Sequence, residues 1–303
     1  MDEQSFTALP GAIEWRVMKF PGRAAVRGAR IGSLRLMRAT TVELNADRNV
    51  TLEITGLDLP PAGEGESPFE HPRPAIIICP GGGFEFLSPR EADPVAVAFQ
   101  RFGFATFILR YSIREHAEFP HPAVDVLHAI RWVRAHADEL GVDPAQVAVM
   151  GFSAGGHVAA LAGTQYANPA VLAAERAEVD AALLEHSPRP DAIVPAYALF
   201  NFDWIDDAPA DAVDTIADVH PAMPPAFVWT TGEDVVVPPS QSLRFVNALA
   251  ERGVPFEYHH FTRGVHGLST ADRLANADRA SLPENAHAWV ELCANWLRAT
   301  LDG

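Results

Sequence analysis

The stretch QVAVMGFSAGGH, Gln146–His157, changes character at its midpoint. QVAVM is a short apolar run of the kind a strand buried on both faces shows, and SAGGHVAALAGT begins a helix. At the junction one hydroxyl, Ser153, stands among Gly151, Ala154, Gly155 and Gly156. Such a serine can cap the helix from a glycine-rich turn. It can also sit in the strained elbow of a G-x-S-x-G turn, where bulky residues two positions to either side would collide. The strand-to-helix placement favours the elbow. The helix start then aims N–H groups and the positive end of its dipole at whatever meets the serine.

Outward from this junction the chain alternates. AIIIC (75–79) and FATFILRY read as strands, with PREADPVAVAFQRFG between them as a helix ending near Gly103. Val126, Ile130, Val133, Ala137 and Leu140 form one apolar stripe on a helix, and Gly141 is its C-terminal stop. On that reading His128 and His136 face solvent. AIVPAYALF and AFVWTTG are further strands, PSQSLRFVNALAERG a helix, PFEYHHF a last strand and PENAHAWVELCANWLRAT a closing helix. Ahead of all this, TTVEL and VTLEITGL flank NADRN and predict a β-hairpin; DLPPAGEGESPFEHPRP after it reads as an exposed loop. The expected fold is α/β: a mostly parallel central sheet with helices on both faces and the antiparallel hairpin at its N-terminal edge. It is expected as a single domain over residues 41–303, preceded by an arm over residues 1–40. Two segments, about 165–190 and 201–224, break the rhythm after strand ends, where binding loops sit in such sheets.

The 303 residues suffice for an α/β core that needs no staples. Against 23 basic residues stand 39 acidic ones, a formal charge of -16 that repels phosphate backbones and anionic lipid headgroups. Neither nucleic acid nor a membrane is therefore expected as a partner, and no run approaches the length of a membrane span. MDEQSFTALPGAIEW at the N-terminus has acids where a signal peptide has bases, so a cytoplasmic location is expected. Cys79 ends an apolar run and Cys293 lies in a helical pattern, and both read as buried free thiols. Pairing into a homo-oligomer is left open.

A serine hydroxyl is a poor nucleophile until a base takes its proton. With a G-x-S-x-G elbow the partners follow in the order Ser, acid, His. Asp234 stands just past the strand AFVWTTG and His266 just past the last strand, so both leave the sheet at the same edge as Ser153. His266 is then the base and Asp234 the acid that fixes its tautomer. Glu233 and Asp203 are rival acids; Glu233 would point away from its neighbour, and Asp203 reads as a loop charge. Developing negative charge on a substrate oxygen also needs donors. Pro80-Gly81-Gly82-Gly83 follows AIIIC, and backbone N–H groups of Gly82, Gly83 and Ala154 are the candidates for an oxyanion hole, each worth about 3–4 kcal/mol in a transition state. Phe84, Phe86 and Trp204 are candidate substrate-binding walls, or else core.

The chain shows no P-loop, no G-x-G-x-x-G after a first strand and no H-E-x-x-H. His259 and His260 are adjacent on a strand, point to opposite faces, and do not share an ion easily. No metal and no cofactor are expected.

The runs PGGGFEFLSPREADPVA, GFSAGGH, PPAFVWTTGEDVVVPPSQSLRF and FTRGVHG together resemble the α/β-hydrolase superfamily, and more narrowly its lidless acetyl-esterase branch related to bacterial xylan and feruloyl esterases. The resemblance covers roughly residues 70 to 300. It implies a triad of Ser153, Asp234 and His266, an oxyanion hole of Gly82, Gly83 and Ala154 shaped by Gly81, and no large cap domain. Pro80 stands where many relatives have the histidine of H-G-G-G. The implied activity is hydrolysis of short acyl esters, acetyl groups on sugars foremost, so the expected partner is a small-molecule ester. The alternatives are an amidase, arylformamidase or small peptidase with the same triad, and a non-catalytic binding protein on the same scaffold.

Overall fold

The computed structural model describes residues 38–56, 71–205, 211–277 and 282–302. The arm expected over residues 1–40 lies outside these, apart from its last three positions, which open the first strand. The exposed loop expected over 58–74 also lies largely outside them.

Among the described residues eight strands build one sheet: β1 Arg38–Asn45, β2 Val50–Gly56, β3 Arg73–Cys79, β4 Ala105–Arg110, β5 Val142–Phe152, β6 Ala192–Ala196, β7 Ala226–Thr231 and β8 Phe256–Phe261, in the order β1-β2-β4-β3-β5-β6-β7-β8. β1 and β2 form the hairpin, with Val42 opposite Leu52 and Thr40 opposite Ile54. β2 meets β4 antiparallel, and every later pairing is parallel. The helices are α1 Asp93–Gln100, α2 His121–Ala135, α3 Ala137–Leu140, α4 Ala154–Thr164, α5 Pro169–Glu178, α6 Ser240–Glu251 and α7 Trp289–Leu301.

The unbroken apolar run of β3 is explained by cover on both faces. Ala75, Ile77 and Cys79 enter a core with α2 and α4, whereas Ile76 and Ile78 enter a second core with α1 and α7. β5 divides in the same way, Val147 and Val149 to one side, Ala148, Met150 and Phe152 to the other. Each fully buried isoleucine contributes about 1.5–3 kcal/mol. Cys79 and Cys293 are buried free thiols; burial in apolar surroundings pushes both up.

The stripe at Val126, Ile130, Val133 and Ala137 is buried as its spacing requires. The helix itself breaks at His136, whose Nδ1 lies 2.8 Å from Trp132 O, and α3 ends on Gly141 in the left-handed region, φ 60.

The expectation of a solvent-facing His128 is corrected by the structure. His128 is buried, and His136 is half-buried with its ring stacked on Trp132. The polar side of α2 is roofed by the segment after Gln165. Arg131 forms a two-pronged pair with Glu175 in α5 and also donates to the carbonyls of Leu184 and His186. Arg134 donates to Pro144 O, Ser187 O and Asp191. From the hairpin, Arg48 reaches Ser112, Asp125 and Glu178 at 3.0, 2.8 and 2.7 Å. A helix periodicity assigns a face; it does not say that the polar face is left bare.

Candidate active site

Ser153 lies between β5 and α4 with φ 53 and ψ −118. For a residue with a Cβ this is a strained conformation. It is held from three sides: Ser153 N–H donates to Ala196 O, and the N–H groups of Leu199 and His157 donate to Ser153 O. The flanking glycines are obligatory at this closeness. A Cβ on Gly151 would lie 1.9 Å from Gly155 O, and one on Gly155 would lie 2.0 Å from Cys79 O. Both distances are impossible without moving backbone, so the spacing of small residues around Ser153 is a packing requirement.

His266 follows β8 and Asp234 follows β7. His266 Nε2 lies 2.8 Å from Ser153 Oγ, and His266 Nδ1 lies 2.7 Å from Asp234 Oδ2. The three side chains thus form one continuous hydrogen-bonded chain. Asp234 is buried, and its Oδ1 accepts from the N–H groups of Val236 and Val237, both at 2.9 Å. With a carboxylate on Nδ1, that nitrogen carries the proton, and Nε2 presents its lone pair to the hydroxyl. The Tyr197 ring meets the imidazole edge-on at 5.1 Å.

The rival acids have other partners. Glu233 turns away from the serine, pairs with Arg263 and accepts from Gly264 N–H at 2.9 Å, so it steadies the loop that carries His266. Asp203 is exposed and pairs with Arg244 in α6. Of the adjacent histidines, His259 meets Glu257 at 2.7 Å and His260 faces Tyr258, on opposite sides of β8. Among the described residues, no group of three or more His, Cys, Asp or Glu side chains is arranged to hold a metal ion.

The Gly81–Gly83 loop packs directly on the serine: a Cβ on Gly81 would come within 3.0 Å of Ser153 Cβ. Gly82 and Gly83 take φ 135 and 63, and Gly82 O accepts from Glu85 N and Phe86 N. The N–H groups of Gly82, Gly83 and Ala154 have no acceptor among the described residues.

Glu91 is a residue of the candidate site that the sequence did not flag. It lies in a short 3-10 turn before α1, buried, with Oε2 accepting from Gly81 N–H at 2.9 Å and Oε1 from Tyr197 OH at 2.7 Å. Tyr197 OH in turn accepts from Ser269 N–H. One carboxylate therefore ties the glycine loop to the ring that backs His266. Burial, reinforced by Glu91, pushes the Tyr197 phenol well above its ordinary range, so it stays protonated and donates. Tyr111 OH likewise donates to Pro80 O.

Beside the loop lies a cavity of about 410 Å³, lined by Gly83, Phe84, His157, Leu161 and Phe202 among others. Phe84 is thus part of a wall. Phe86 is 56% exposed and faces a neighbouring surface groove; Trp204 is 40% exposed, with its Nε1 donating to Asn201 O. Neither lines the cavity.

Two buried histidines couple stability to pH. Burial holds both His128 and His157 down at about 4. In the unfolded chain each titrates near 6.5. The unfolded state therefore binds more protons as pH falls from about 6.5 to about 4, and stability is lost over that window, about 3 kcal/mol per histidine when complete. Asp125, raised by burial, opposes this, since acidification relieves its buried charge. The expected outcome is a urea midpoint that falls steadily between about pH 7 and about pH 5; a flat midpoint contradicts the assignment of neutral, buried imidazoles.

A sheet of this order, with a serine elbow after β5, an acid after β7 and a histidine after β8, defines a class, and comparison with known proteins agrees with it. A family model described as BD-FAE matches residues 66–214. The crystal structure of MGS-M1, an alpha/beta hydrolase enzyme from a Medee basin deep-sea metagenome library, is 32% identical; the match covers 89% of this chain and 100% of that one, with a TM-score of 0.71. The acetyl ester-xyloside bifunctional hydrolase from Caldicellulosiruptor lactoaceticus is 29% identical over 88% of this chain and 98% of that one, with a TM-score of 0.68. Among curated proteins, endo-1,4-beta-xylanase B of Butyrivibrio fibrisolvens is 30% identical over 66% of this chain and 33% of its own length. The chain spans about half the length of the curated relatives matched next. The chain belongs to the α/β-hydrolase superfamily. No helix among the described residues is long and apolar enough to cross a membrane.

Proposed function

We propose that this chain is a serine carboxylesterase acting on short acyl esters, acetyl groups on sugars or oligosaccharides foremost. The observation that carries this is the continuous relay Ser153–His266–Asp234 lying against the Gly81–Gly83 loop. His266 Nε2 takes the proton of Ser153 as Oγ attacks the ester carbonyl carbon. The carbonyl oxygen becomes an oxyanion, which the N–H groups of Gly82, Gly83 and Ala154 receive. Asp234 stabilises the imidazolium without taking its proton. The tetrahedral intermediate collapses, the C–O bond to the alcohol breaks, and Nε2–H protonates the leaving oxygen. Water, deprotonated by the same nitrogen, then attacks the acyl-serine and releases the acid. The acetyl-ester activity named for one structural relative supports the acyl preference.

The test is a substrate series. Wild type hydrolyses p-nitrophenyl acetate, kcat/KM falls as the acyl chain lengthens, and p-nitroacetanilide is cleaved far more slowly. An anilide cleaved as fast as the ester would move the assignment to an amidase.

A further inference from the structure

The cavity that Gly83 of the glycine loop helps to line contains a buried imidazole that the proton relay does not use. His157 lies one turn after Ser153 in α4, is 4% exposed, and lines the cavity. Its Nδ1 is 3.1 Å from Leu199 O. A carbonyl oxygen only accepts, so Nδ1 carries the proton and Nε2 holds a free lone pair. No described group bonds Nε2, and it is not among the polar atoms sealed without a partner, so it opens on the cavity. The rings of Phe84 and Phe202 meet the imidazole edge-on at 6.1 and 5.3 Å and fix its plane. Burial keeps it neutral at ordinary pH.

The rim of the cavity limits what can enter. Among the described residues that line it, Glu85, Glu115, Glu118 and Asp211 stand against one cation, Arg114. An anionic occupant is disfavoured by that balance. Arg114 is fixed by its Nε on Glu85 O and its N–H on Phe84 O, and its two terminal nitrogens have no acceptor among the described residues. The site therefore offers an acceptor in its depth and donors at its rim. A short acyl group has no hydroxyl to give, so the group that satisfies His157 belongs to the other half of the ester.

We propose that this cavity is the subsite for the alcohol half of the substrate, and that His157 Nε2 accepts a hydrogen bond from a hydroxyl of a neutral polyol ring packed on Phe84 and Phe202. This rests on the carboxylesterase reading above. A site built to bond a hydroxyl discriminates against the analogue that lacks it, because its buried acceptor is then left unpaired.

The experiment compares kcat/KM for a mono-acetylated methyl xyloside with that for cyclohexyl acetate. Two variants separate position from structure. His157→Asn puts an amide nitrogen where Nδ1 stood, keeps the tie to Leu199, and ends short of the Nε2 position. His157→Gln carries an amide oxygen out to that position. Wild type prefers the xyloside; the preference falls about fivefold to tenfold in His157→Asn and returns toward wild type in His157→Gln. An unchanged preference in His157→Asn, or none in wild type, overturns the proposal. Should the asparagine variant fail to fold, inhibition of wild type decides: methyl xyloside competes with p-nitrophenyl acetate more strongly than cyclohexanol does, and equal competition overturns the proposal. Wild type that leaves p-nitrophenyl acetate intact refutes the carboxylesterase reading; turnover of that ester without xyloside preference refutes only the subsite.

Discussion

Ser153→Ala lowers kcat on p-nitrophenyl acetate by about 10⁴- to 10⁶-fold while the melting temperature stays close to that of wild type. The size follows from what the hydroxyl does. Without Oγ no acyl-enzyme forms, and the remaining rate comes from substrate binding and the donors of the glycine loop, which act on water attack alone. The modest effect on stability follows from what holds the elbow. Its supports are backbone hydrogen bonds from Ser153 N–H to Ala196 O and to Ser153 O from Leu199 and His157, together with the packing of Gly151 and Gly155. None of these uses Oγ, whose partner is His266. Steady-state kinetics beside a thermal melt check both halves; activity within tenfold of wild type would remove Ser153 from the mechanism.

Asp234→Asn lowers kcat by about 10⁴-fold and again leaves a folded protein. The asparagine oxygen still accepts from Val236 and Val237 N–H, as Asp234 Oδ1 does at 2.9 Å. The change falls on the other oxygen, 2.7 Å from His266 Nδ1. An amide NH₂ there donates, so Nδ1 must accept, and the ring proton moves to Nε2. Nε2–H then faces the serine with no lone pair to take its proton. Proton NMR of the imidazole in the variant shows the tautomer, and a variant with wild-type kcat would show that Asp234 does not set it. Glu233, next in sequence, is the control. Its ties to Arg263 and Gly264 act on the loop, so its glutamine variant loses far less.

Much of the fold was legible because burial on both faces leaves a mark in composition. The strands around AIIIC and QVAVM lack alternation, and residues 76 to 78 and 147 to 150 divide between two cores as such runs require. The meeting of Ser153, Asp234 and His266 was legible for a related reason: parallel strands that all leave the sheet at one edge put their following loops together. What was not legible depends on contacts distant in sequence. Buried His128 lies near Glu178 of α5, fifty residues on, and near Arg48 of the hairpin, eighty residues back, and neither leaves a trace in the periodicity of α2. Glu91 looks like an ordinary acid at a helix start, where the dipole favours one. Its inward turn to Gly81 and Tyr197 is visible only once the strand order brings those residues together. His157 stood in the opening stretch itself, but a histidine on a glycine- and alanine-rich helix gives no sign of which nitrogen meets a carbonyl and which meets a cavity.

The central claim is that Ser153 Oγ, activated through His266, becomes covalently acylated. Reaction with a fluorophosphonate probe followed by peptide mass spectrometry tests it directly. The account predicts one label per chain on the peptide carrying Ser153, complete with wild type, absent with Ser153→Ala and strongly slowed with Asp234→Asn. A label on another residue, or none on a folded enzyme that hydrolyses p-nitrophenyl acetate, would contradict it.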